Sequence, residues 1–198
     1  MSGQCRTRKR DRISIAGYRL PSATIRLQYP NAQSPEPEAH KERHMAKKAA
    51  PTDAQVIMQL YDLRREAEMR KARSWFLAEF WPGSVDDFMK IASAFPSQEN
   101  SWLRQVGSYW DMAAAMVLHG AINEDLFLEP GISGEMFFCF AKVHPFLKEL
   151  REKMNNPNAW RNIEQVATRS KTARKQLDRF LKTVEMRRKS MAKSAKAS

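Results

Sequence analysis

The residues able to do chemistry are few and widely spaced in this chain. Its 198 residues include four histidines and two cysteines. His40 and His44 stand four apart, the spacing at which two imidazoles on one helix face can share a metal. They lie in a proline-punctuated stretch without a third ligand beside them, so no metal site is expected. His119 falls at the end of an apolar helical run, where an imidazole near the last carbonyls has a structural role. His144 precedes Pro145 and is placed to satisfy carbonyls freed by the bend that a proline forces. Cys139, among Phe137, Phe138 and Phe140, reads as a small buried hydrophobe rather than a nucleophile. Cys5 lies 134 positions away. The two form no disulfide framework and suit a reducing compartment, which points to the cytoplasm.

The carboxylates near apolar surface are Asp86, Asp87, Asp111, Glu124, Asp125 and Glu135. Asp111 follows Tyr109 and Trp110 and is expected to be buried against Tyr109 or Arg104. A catalytic reading would gather Asp111, His119 and Glu135 in one cleft of a helical bundle as acid and base. A di-metal bundle would instead need Glu-x-x-His units, but Met69, Pro82, Phe138 and Ala167 stand three after Glu66, Glu79, Glu135 and Glu164. Walker, GxGxxG, GxSxG and HExxH patterns are also missing, and no cofactor is implied.

The elements that would position these side chains are helical. Thr52-Asp53-Ala54-Gln55 fits a capping box, and Val56, Leu60, Leu63 and Ala67 form one apolar stripe. The stripe resumes out of phase at Ala72, Trp75, Phe76 and Phe80, and Pro82-Gly83 ends that first helix. Glu66 and Arg70 are expected to be a solvated pair, and Trp81 an exposed ring marking a contact surface. Ser84 and Ser97 can cap the next two helices. The second of these, from about Gln98 to His119, has a run Met112–Leu118 that is apolar nearly all round and is predicted to be the most buried. Gly120 suits a left-handed C′ position. Asn123 can cap a single turn, which Pro130-Gly131 breaks, and a helix follows from about Gly134 to Met154 with a kink at Pro145. Asn156-Pro157 has the form of an N-cap and N1 pair opening the last helix. The seam of that helix, Trp160, Ile163 and Ala167, fails at Ser170–Lys175 and returns at Leu177, Leu181 and Val184. Either the helix projects as a basic arm or a second amphipathic piece docks. The expected class is therefore all-α, a small multi-helix bundle with a long basic C-terminal helix and a disordered N-terminal arm.

The charge layout divides the chain in three. Residues 1–50 carry a net +7, residues 51–165 a net −4 and residues 166–198 a net +9, so the ends hold all the excess of the overall +12. Residues 1–50 read as a disordered basic arm, residues 51–168 as the helical domain and residues 169–198 as a basic helical tail fraying at its end. Met45-Ala46-Lys47-Lys48, directly before a helix start, also has the form of an initiation point, which would make residues 1–44 an upstream extension. In the tail Arg169, Lys171, Arg174, Lys175, Arg179, Lys182, Arg187, Arg188 and Lys189 recur about every three residues and are the candidate phosphate contacts. The same face could lie on anionic lipid with Phe180, Leu181 and Val184 inserting. A solvated, solubilising tail is the remaining reading. No run reaches the roughly 18 apolar residues of a membrane span, and no apolar segment follows the N-terminal basic cluster as a secretory signal requires.

Tyr61 to Arg73, Tyr109-Trp110-Asp111, His119-Gly120-Ala121-Ile122, Phe127, Glu135, Pro145-Phe146, Arg151 and Asn156-Pro157 resemble an uncharacterised bacterial helical family, domain of unknown function 4760, over about residues 55–170. The resemblance implies a bacterial or phage-borne protein with helical packing and carries no activity. The expected function is a non-enzymatic protein-interaction module with an unknown protein partner. Nonspecific nucleic-acid association through the tail is the alternative, and an enzyme using Asp111, His119 and Glu135 is the third reading. Self-association through the C-terminal helix is compatible with the first two.

Overall fold

Helix α1, Pro51–Arg65, starts one residue before the expected cap because Pro51 takes the N1 position, where its missing N–H is not needed. The structure, a computed structural model, describes residues 48–197. The expectations for Cys5, His40, His44, Met45 and most of the arm lie outside them. Asp53 completes the start of α1 in place of Thr52: its carboxylate accepts the Ala50 N–H at 2.6 Å and the Asn123 N–H at 3.0 Å. One buried side chain thus caps α1 and ties it to a turn 70 residues later. Asp53→Ala should lower stability by about 1–2 kcal/mol, read from a urea unfolding midpoint.

The phase shift in the first apolar stripe is a break between two helices. Glu66 is extended (φ −55°, ψ 143°) and separates α1 from α2, Ala67–Ala78. Glu66 does not pair with Arg70. Its carboxylate accepts the Met69 N–H at 2.8 Å as the cap of α2, and that bond holds its pKa below the usual carboxylate value. Ser84 caps α3, Val85–Ala92, and Ser97 caps α4, Gln98–Leu118, each accepting an N–H three residues on. Asn100 on α4 then donates to the Ile91 and Ala92 carbonyls, closing the end of α3. Gly120 turns the chain at φ +72°, and Asn123 caps the single turn α5, Glu124–Phe127.

Pro130 does not break a helix but begins one. Helix α6, Pro130–Val143, has it at N1 and is the more enclosed helix, with nine of 14 residues buried against eight of 21 in α4. The kink at Pro145 is a 3-10 turn, His144–Phe146, leading into α7, Leu147–Lys153. There the His144 ring packs edge-on to Phe140, 5.3 Å between centroids, rather than onto free carbonyls. Asn156-Pro157 forms a turn, with Asn156 accepting the Asn158 N–H, and α8, Arg161–Arg169, starts after a left-handed Trp160. Ser170, extended, separates α8 from α9, Lys171–Ala197.

Of the two outcomes the interrupted seam allowed, docking is the one found. Ala173 and Leu177 join the core, Val184 is buried, and Phe180 stacks on Phe137 of α6 at 6.3 Å. The face carrying Phe180, Leu181 and Val184 is therefore turned inward and is not offered to lipid. The described residues are all-α, and no helix among them is long and apolar enough to cross a membrane.

Candidate nucleic-acid interface

Docking α9 by one face dictates what the other presents. At 100° per residue Ala173, Leu177, Phe180, Leu181 and Val184 share an arc of about 100° against the body. Opposite them Lys171, Lys175, Arg179, Lys182, Lys189 and Lys193 fall within an arc of about 80°. All six are exposed. Five of these were among the expected phosphate contacts. The stripe runs about 33 Å along the helix, with the exposed Met186 as its one uncharged member. Glu185 at its border pairs with Lys189 at 2.6 Å, both side chains well exposed.

The other expected contacts have structural engagements. Arg169 ends α8 and reaches Glu124 at 3.3 Å. Arg174 donates to the Thr168 carbonyl at 2.6 Å, closing the end of α8. Arg187 is exposed beside the docked face, away from the stripe. Arg188 turns inward, donating to the carbonyls of Pro82 at 2.6 Å and Lys142 at 2.8 Å. It clamps α9 to the body and is not free to meet a phosphate.

Beneath Arg188 lies a residue that sequence reasoning missed. Lys142 is fully buried, and its ammonium donates to the carbonyls of Phe76 at 2.7 Å, Leu77 at 3.1 Å and Phe80 at 2.9 Å. Its three hydrogens meet the carbonyls that the end of α2 leaves without backbone partners. Trp81 is not a free surface ring: it roofs Lys142, 3.7 Å from ammonium to ring centroid, and rests edge-on against Phe138. Burial pulls the Lys142 pKa down to about 7, while the three carbonyls favour the charged form. The only hint in the sequence is a lysine inside an apolar run, Phe140-Ala141-Lys142-Val143.

The carboxylates do not assemble into one cleft. Glu135 accepts Arg73 Nε at 2.8 Å and Arg64 Nη2 at 2.9 Å, with 8% of its side chain exposed. Burial would raise its pKa, but the hydrogen bond from Arg73 and the charges of Arg64 and Arg73 outweigh that and hold it below the usual value. Arg73 also donates to the Arg64 carbonyl at the end of α1, so the triad fastens α1, α2 and α6 together. Asp111 pairs with neither Tyr109 nor Arg104 but accepts Asn162 Nδ2 of α8 at 2.8 Å. The Tyr109 hydroxyl donates to the Leu60 carbonyl instead. His119 is exposed at the end of α4. Cys139 is fully buried and burial pushes its thiol far up, so it is no thiolate at neutral pH.

Comparison with known proteins adds one relation. No curated protein and no solved structure matches the chain. One family, described as Domain of unknown function (DUF4760), matches residues 49–170. That span takes in α1 to α8, the buried Glu135 and Lys142 sites included, and stops where the basic stripe of α9 begins. The chain therefore belongs to the DUF4760 family, with its C-terminal basic helix beyond the matched span.

Proposed function

We propose that this protein is a non-enzymatic binding module of the cytoplasm whose contacting element is the solvent stripe of α9 and whose ligand is the phosphate backbone of nucleic acid. The observation that carries the reading is the placement of six cations in one exposed arc opposite the docked face. Because α9 is held by its buried seam and by Arg188, the cations are presented in a row at little further ordering cost. The stripe carries no base-reading motif, so the contacts are electrostatic and independent of sequence. Asp111, Glu135 and Cys139 all serve packing or internal pairing, which supports a non-enzymatic role.

The test is fluorescence anisotropy of the full chain with a short duplex DNA and a single-stranded RNA. Six phosphate contacts predict about a thousandfold loss of affinity between roughly 50 and 200 mM salt. Replacing Lys175, Lys182 and Lys189 by Gln should reduce the log–log salt slope by about 2.7 while leaving the basic N-terminal arm intact. An unchanged slope, or no binding at the lower salt, overturns the reading.

A second reading, a protein partner, is favoured by one feature. Leu63, Met69, Tyr109 and Met112 line a groove of about 440 Å³, and Leu63 and Met112 are 54% and 40% exposed.

A further inference from the structure

The helix that carries the basic stripe is fixed along most of its length. Ala173, Leu177 and Val184 are buried beneath it, Phe180 stacks on Phe137, and Arg188 fastens it to the Pro82 and Lys142 carbonyls. The six exposed cations therefore stand in a straight row of about 33 Å, close to one turn of B-form DNA. Successive members are about 4.5–6 Å apart along the axis, save for a gap of about 10 Å at Met186. The exposed carboxylates Asp178 and Glu185 border the row without interrupting it. The one aromatic ring of α9 is Phe180, which is turned against α6, so no ring on the stripe can stack on a base. The stripe's one guanidinium, Arg179, lies 5.0 Å from the Phe180 centroid.

We infer that the ligand of this stripe is double-helical nucleic acid rather than a single strand, an inference that rests on the reading of the stripe as a phosphate contact. A single strand is ordinarily held by base stacking as well as by charge, and the stripe offers charge alone. A flexible strand must also be straightened along a rigid row, at an entropic cost. A duplex is already straight over this length, its persistence length being about 150 base pairs, and it carries one charge per roughly 1.7 Å of axis. Counterion release sets the size of the preference. Six contacts give a log–log salt slope of about −5.4 on a duplex and about −4.2 on a single strand. With the two lines meeting near 1 M salt, where release supplies no driving force, the duplex binds roughly thirtyfold tighter at 50 mM and roughly sevenfold tighter at 200 mM.

Fluorescence anisotropy of the full chain tests this with a short duplex DNA, the duplex RNA of the same sequence and one unstructured strand of each, at roughly 50 and 200 mM salt. At least one duplex should bind more tightly than its own strand by the factors above, and the margin should narrow as salt rises. The duplex with the larger margin identifies DNA or RNA as the source. Lys175→Gln, Lys182→Gln and Lys189→Gln together should cut the margin about sixfold at the lower salt, whatever the basic N-terminal arm adds to each ligand. If both strands bind as tightly as their duplexes, the inference falls while the stripe remains a phosphate contact. A margin unchanged in the triple variant places the preference outside α9 and also overturns it. Binding to none of the four overturns the inference and the reading beneath it together.

Discussion

Glu135→Gln is expected to destabilise the protein by about 3–5 kcal/mol, because it strands two arginines in a site built around one carboxylate. Their side chains are 12% and 22% exposed, so water cannot fully replace the lost partner. Glutamine keeps the volume of the side chain and one accepting oxygen, which isolates the charge as the cause. The pH dependence gives a second readout. The folded carboxyl titrates below its ordinary value, so the folded state binds fewer protons than the unfolded chain around that value. Its contribution is complete above the unfolded carboxylate pKa of about 4.3 and is lost as pH falls through the depressed folded value. Urea midpoints measured from neutral pH downward should fall in the native protein, while the variant starts lower and lacks this component of the acid slope. Parallel pH profiles would mean that Glu135 does not hold the triad together.

Lys142→Met should cost about 3 kcal/mol. Replacing a buried charge by an apolar chain of similar length is often harmless when its partners are removed too. Here the partners are backbone carbonyls of Phe76, Leu77 and Phe80, which no side-chain substitution removes. All three acceptors would be left without their hydrogen bonds to Lys142 where water has little access, and Trp81 would lose the cation beneath its ring. Lys142→Ala should cost more, since it adds a cavity next to Phe76 and Phe138. Equilibrium unfolding in urea measures both, and a Met variant as stable as the native chain would overturn this account.

The helix limits that were legible in the sequence were those governed by neighbours three or four residues away. Ser84, Ser97 and Asn123 cap what they were expected to cap, because an N-cap acts on an N–H within the same turn. Gly120 turns the chain for a similarly local reason. The misread limits were those where two local rules competed. Pro130 and Pro157 can each end one element or begin another: Pro130 became the N1 residue of α6, whereas Pro157 stayed in a turn. At Glu66 the spacing to Arg70 suits a pair on an unbroken helix, but a break lets the same carboxylate cap α2.

The basic stripe was partly legible. Its spacing is written in the chain, and so is the place of Arg188, four residues after Val184 on the inward face; only the docking of α9 brought it to the Pro82 and Lys142 carbonyls. The sequence by itself determined the helical class, the family relation and the amphipathic character of α9, since each rests on periodicity or on residues close along the chain. Only the tertiary structure decided which charges are buried and paired. Lys142 meets Phe76 across 66 positions, Arg73 meets Glu135 across 62 and Arg64 meets it across 71. Such pairings depend on how helices dock. No local propensity encodes that a lysine in an apolar run will close the end of another helix, or that two arginines on separate helices will share one carboxylate.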